Sequence, residues 1–123
     1  MLFYHVTSPE RALNILKEGF DCNSYALWGH CDRKKHDEQR AFFCRKVSIN
    51  KWKRILGRER GWRVFEVLKI VIPKETWYKF FEDEIDMDNL KDTRIWDWGD
   101  QIVFDTIGPI TQGRFGINIT VEE

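Results

Sequence analysis

An α+β fold on a mainly antiparallel sheet is what this sequence predicts, and three observations predict it. Five short runs rich in apolar or β-branched residues lie along the chain, at Leu2–Tyr4, Ala41–Cys44, Arg63–Ile72, Gln101–Phe104 and Gly116–Val121. The clear helical patterns are fewer and cluster toward the N-terminus. The first strand and the helix after it both carry the apolar spacing of buried elements. A split sheet is therefore expected, with the Leu2–Tyr4 strand central, the Arg11–Lys17 helix packed on it, and N-terminal helices overall.

Leu2, Phe3 and Tyr4 form the first strand, which runs into His5-Val6-Thr7-Ser8-Pro9. Ser8 is a natural N-cap, because its hydroxyl can accept from an N–H that the first helical turn leaves unsatisfied. Pro9 occupies the helical position where a missing N–H costs nothing, and Glu10 favours the positive helix end. Ala12, Leu13, Ile15 and Leu16 share one face, and Gly19 stops the helix. The polar stretch from Asp21 to Gln39 reads as a long loop, a class of segment that often carries function. Ala41-Phe42-Phe43-Cys44 is a short strand, and Ser48 to Leu56 a short helix capped by Ser48 and ended at Gly57. Arg63 to Ile72 is a strand rich in β-branched residues, closed by Pro73. Lys74 to Phe81 is a short helix or turn, followed by an acidic stretch from Glu82 to Asp88. Gln101–Phe104 is a strand, Gly108-Pro109-Ile110 turns the chain, and Gly116–Val121 is the last strand.

Composition narrows the function classes. At 123 residues the chain reads as one domain with its own core. Its 20 lysines and arginines balance 20 aspartates and glutamates, which removes the signature of a general nucleic-acid binder while permitting a local basic patch. No apolar run approaches membrane-spanning length, and no basic segment precedes a long apolar one at the N-terminus. Three irregularly spaced cysteines argue against a disulfide framework, so a cytoplasmic protein is expected. Six tryptophans and nine phenylalanines exceed what core filling usually asks of so small a chain. Some are expected to line a groove or a partner surface, the rest to fill the core.

A histidine at the end of a strand, beside a hydroxyl residue, is well placed to act on a ligand. The segment Tyr4-His5-Val6-Thr7, followed by Ile15-Leu16-Lys17-Glu18-Gly19-Phe20, resembles the opening of ADP-ribosyltransferases of the diphtheria-toxin and poly(ADP-ribose) polymerase type. Two later stretches fit the same resemblance. Arg40-Ala41-Phe42-Phe43-Cys44 and then Val47 to Trp52 stand where that family has an aromatic motif, with Phe42 at its tyrosine and Trp52 near its stacking aromatic. Gln101-Ile102-Val103-Phe104, with Ile107-Gly108-Pro109-Ile110 after it, stands where the family has a late strand that opens on a glutamate. Here Gln101 takes that slot, and Asp100 precedes it.

The resemblance implies NAD as substrate and transfer of ADP-ribose to a protein or nucleic-acid acceptor, as in compact toxin-type or phage relatives. It implies that His5 anchors the ribose, Thr7 lies near the cofactor, and Phe42 and Trp52 flank nicotinamide. Gln101, or Asp100 if the register slips by one, then stands at the transfer centre. A glutamine can hydrogen-bond a ribose hydroxyl but supplies no negative charge to an oxocarbenium-like transition state. A catalytically diverged domain of the same fold, binding a nucleotide or a protein partner, is the alternative. A third reading, RNA 2′-phosphotransferase-like chemistry, needs several arginines that the motifs do not identify.

Other constellations are weaker. Cys22, His30, Cys31, His36 and Cys44 are zinc-ligand types, but no Cys-x2-Cys pair accompanies them, and no metal is expected. Cys44 or Cys31 with His5 would be a thiol and base without local support. Arg33-Lys34-Lys35-His36, with Arg40, Arg45 and Lys46, is either a phosphate-meeting run or a solvated loop.

Overall fold

In the computed structural model, residues 1–20, 38–84 and 93–122 are described. In chain order the elements are β1 (Leu2–Thr7), α1 (Pro9–Glu18), β2 (Glu38–Phe43), α2 (Ile49–Arg60), β3 (Glu66–Val71), α3 (Lys74–Phe80), β4 (Arg94–Asp97), β5 (Ile102–Ile107) and β6 (Asn118–Val121). Two three-stranded antiparallel sheets result, one ordered β1-β3-β6 and the other β2-β5-β4. The chain is thus α+β, with the sheet divided in two.

Among the described residues the sheets join at one antiparallel bridge between Tyr4 and Cys44. The Tyr4 N–H donates to the Cys44 carbonyl at 2.8 Å, and the Cys44 N–H returns to the Tyr4 carbonyl at 2.7 Å. β1 is therefore the edge of its own sheet, and β3, not β1, is the central strand. The apolar run of β1 comes from burial of both its faces rather than from a central place in its sheet. Phe3 belongs to the main core with Ala12 and Ile15 of α1, whereas Tyr4 and Val6 pack with Ile49, Trp52 and Leu56 of α2. Those α2 residues recur at helical spacing, so one stripe covers one face of the strand.

The helices are not confined to the N-terminal part, since α3 lies between β3 and β4. Trp77 of α3 stacks between Phe3 and Phe81, at ring-centroid distances of 5.4 and 4.9 Å. This places a good share of the aromatic surplus in the core. α2 overruns the stop expected at Gly57 and ends at Gly61, which takes the left-handed conformation at φ 71°. Gly57 has another use: a Cβ there would stand 3.3 Å from the Trp62 carbonyl oxygen, so glycine lets the returning chain lie close. β4 was not expected from the sequence, and β5 runs three residues beyond Phe104, to Ile107.

α1 starts and stops as the sequence predicts, with the Ser8 side chain accepting from the Arg11 N–H at 3.3 Å and the Gly19 N–H reaching the Ile15 carbonyl. Gly19 has φ 87° and ψ −178°, and a Cβ there would lie 2.5 Å from the Ile110 carbonyl oxygen. The next residue, Phe20, is fully buried and bridges to Ile110. Gly19→Ala is expected to lower stability by about 1–3 kcal/mol from backbone strain alone, with the contact against Ile110 added, as urea unfolding will measure.

Candidate functional site

A cleft opens where β1 and β2 part, just past the Tyr4–Cys44 bridge. Successive residues of a strand direct their backbone groups to alternate sides. Tyr4 bonds across to Cys44, so Val6, two residues on, aims its N–H and C=O into the same gap. A continued ladder would pair Val6 with Phe42. Instead the His5 ring takes the Phe42 carbonyl, with Nδ1 donating at 2.8 Å. That bond fixes the tautomer, leaving the proton on Nδ1 and a lone pair on Nε2.

His5 is 8 % exposed and meets the edges of Phe20 and Phe43 at centroid distances of 5.0 and 6.5 Å. Burial pushes its pKa down to about 4; the bond to the Phe42 carbonyl opposes this and the Arg11 charge adds to it. At neutral pH the ring is uncharged.

Of the residues singled out in the sequence, His5, Thr7, Phe42, Trp52 and Gln101 all line this one cleft. His5 and Trp52 sit against opposite faces of β1, His5 with the main core and Trp52 with Tyr4 and Val6. They share a cleft because it is the gap at the end of the split. Thr7, at the end of β1, and Phe42 are buried, so only part of each reaches the cleft. Gln101 enters from the turn before β5.

Asp100 stands elsewhere. The Trp98 N–H bonds the Gln101 carbonyl at 2.7 Å, and this tight turn sends the neighbouring side chains different ways. The Asp100 carboxylate is exposed and paired with Lys51 of α2. Gln101 lines the cleft and Asp100 does not. Arg45 holds the same hairpin through Asp97, at 2.9 Å, and the Gly99 carbonyl.

The cleft also contains residues that the motifs did not identify. Arg11 of α1, Arg60 of α2 and Trp62 line it, with the Arg11 and Arg60 guanidinium carbons 5.5 and 5.6 Å from the Trp62 ring centroid. None of the described lining residues is acidic. Cys44 lines it too, but burial pushes its thiol up to about 11, so it is no nucleophile at neutral pH. The loop cluster of Cys22, His30, Cys31 and His36 lies outside the described residues, as do residues 85–88 of the acidic stretch. Among the described residues no helix is long and apolar enough to cross a membrane.

The arrangement suits a flat ligand with polar edges and a negative charge. Val6 offers a donor and an acceptor side by side, Trp52 and Tyr4 offer aromatic surface, and two arginines offer charge. No family model, curated protein or solved structure matches this chain.

Proposed function

We propose that the chain binds NAD in the cleft beside His5 and transfers ADP-ribose from it to a protein or nucleic-acid acceptor. The observation that carries this reading is the backbone of Val6 at the open edge of β1. A primary carboxamide on a flat ring, as in nicotinamide, matches a neighbouring N–H and C=O, and Trp52 stands by to cover the ring. His5, uncharged at neutral pH, lines the same cleft, where the resemblance places the ribose. The reaction breaks the bond between the ribose C1′ and the nicotinamide nitrogen, which keeps the electron pair; an acceptor nucleophile replaces it and gives up its proton.

Gln101 supports a second reading, in which the chain binds the nucleotide and turns it over slowly or not at all. A neutral amide stabilises developing positive charge far less than a carboxylate does in a partly dry cleft, and the described lining residues supply no acid. Calorimetry with NAD, followed by labelled NAD with protein, DNA and RNA acceptors, separates the two. Trp52→Ala is expected to weaken NAD binding by up to about tenfold, the worth of one aromatic stack. Gln101→Glu is expected to raise transfer, and Asp100→Ala to leave it unchanged. A wild-type protein with no affinity for NAD would sink both readings.

A further inference from the structure

We propose that the acceptor is a single-stranded nucleic acid, held along the basic face of α2 beside the cleft. This rests on the reading that ADP-ribose is transferred there, and it names the substrate that receives it. Residues 45–63 carry eight of the chain's 20 lysines and arginines and one of its 20 acids, Glu59. The segment is therefore +7 and the rest of the chain −7, although the whole is neutral. On one side of α2, Trp52 and Leu56 pack with β1 and line the cleft. Arg54 follows Trp52 by two residues, which in a helix is the opposite side, and Lys51 and Arg58 lie three and four residues from it on the same stripe. That stripe is basic at all three positions, and Lys53 stands beside it.

Helix stability does not account for this pattern. Cations in the last turn, as at Arg58 and Arg60, answer the partial negative charge of a helix C-terminus. Lys53 and Arg54 lie mid-helix, Arg54 and Arg58 are like charges four residues apart, and the first turn holds no acid. Two of the cations are fasteners: Arg45 meets Asp97, and Lys51 meets Asp100. They tie the β4–β5 turn to the start of α2, and Trp98 in that turn is 48 % exposed. Lys46, Lys53, Arg54 and Arg63 form no ion pair among the described residues. A nucleic-acid strand repeats one negative charge per nucleotide and meets such a surface along its length. An exposed indole gives a base a face to stack on, which an acidic peptide does not use. A single strand is favoured over a duplex because a base must leave its stack before its atoms reach a cleft. None of the described cleft residues is acidic, so nothing there repels the strand. A nucleophilic atom of the strand then bonds C1′ and gives up its proton as nicotinamide leaves with the electron pair.

The test uses the whole chain without NAD and follows the fluorescence anisotropy of labelled single-stranded DNA and RNA of mixed sequence. Binding is expected to weaken as salt rises, with a log–log slope of about −0.7 for each phosphate contacted. A variant combining Lys46→Gln, Lys53→Gln, Arg54→Gln and Arg63→Gln should lose about tenfold or more in affinity and flatten that slope. Arg54→Lys with Arg63→Lys keeps the charges and should bind as the wild type does. Lys74→Gln with Lys79→Gln, on α3, should also leave binding unchanged. Trp98→Ala should weaken it about fivefold or more, the worth of one stacked base. The same sequence as a duplex, and a polyglutamate of equal charge, should both bind more weakly. With NAD added, the neutralised variant should hold NAD as the wild type does while transfer to the oligonucleotide falls. Polyglutamate or duplex binding as tight as the single strand would overturn the proposal. So would an equal loss in the α3 variant, or no binding of either strand. Strand binding that depends on the four charges, in a chain with no affinity for NAD, would uphold the surface and overturn the NAD reading. NAD binding with transfer to proteins alone would do the reverse.

Discussion

Asp105→Ala is expected to lower stability by about 3–5 kcal/mol, the usual cost of leaving one member of a buried ion pair behind. Arg94 of β4 and Asp105 of β5 face each other in the ladder, 3 % and 1 % exposed. The Arg94 Nη2 reaches the Asp105 Oδ2 at 2.9 Å, and the guanidinium lies 5.0 Å from the Trp96 ring centroid. Next to the pair, the Thr93 and Thr106 hydroxyls share a hydrogen bond of 2.8 Å. Removal of the carboxylate leaves a guanidinium in the protein interior without this partner. The double change Arg94→Met with Asp105→Leu removes both charges and is expected to cost much less, since apolar replacements of buried pairs are often neutral. Urea unfolding of the three variants will check this; an Asp105→Ala loss below about 1 kcal/mol would mean the pair behaves as a solvated one.

Acidification is expected to act strongly through His5. Its pKa is about 4 in the folded chain against 6.5 ordinarily, so across that interval the unfolded state binds a proton that the folded state does not. Stability is full above pH 6.5 and falls as pH drops toward 4, by about 3 kcal/mol in all. His5→Phe keeps an aromatic ring and removes the titration. The difference between wild type and this variant should therefore vary over that window and flatten above it, which isolates His5 from the carboxylates. Denaturant midpoints taken from pH 4 to pH 8 give the curve, and parallel profiles for the two proteins would contradict the assignment.

What could be read from the sequence was what local chemistry fixes. Ser8, Pro9 and Gly19 set the ends of α1 through groups adjacent in the chain, and the structure places them accordingly. Gly57 misled because its reason is tertiary: it sits inside α2 to admit the Trp62 backbone, while Gly61 does the stopping. β4 was missed because Arg94 and Asp97 look like solvent-facing charges, and only the partner strand shows Arg94 to be buried. The same holds for Asp105, which made β5 look shorter than it is. The sequence does not show that β1 lies at a sheet edge, since a strand buried on both faces leaves the same apolar record at the edge as in the centre. In the cleft, residues carried by short motifs, from His5 to Gln101, could be named in advance. Arg11, Arg60 and Trp62 could not, because their proximity arises where two helix ends meet and leaves no spacing to detect.

The bond from His5 to the Phe42 carbonyl has a consequence for how any loss of function at this position is interpreted. That carbonyl is the tooth at which a zipper would otherwise keep closing, from Tyr4 and Cys44 onward to Val6 and Phe42. The imidazole jams it. A chain without the ring frees the carbonyl for the Val6 N–H, and two further backbone bonds become available to seal the seam between the sheets. An inactive His5 variant is thus an ambiguous lesion: the phenotype of a missing reactive group and that of a vanished doorway are the same. Only a replacement that still occupies the Phe42 carbonyl, as an asparagine or glutamine amide can, tells chemistry from architecture here.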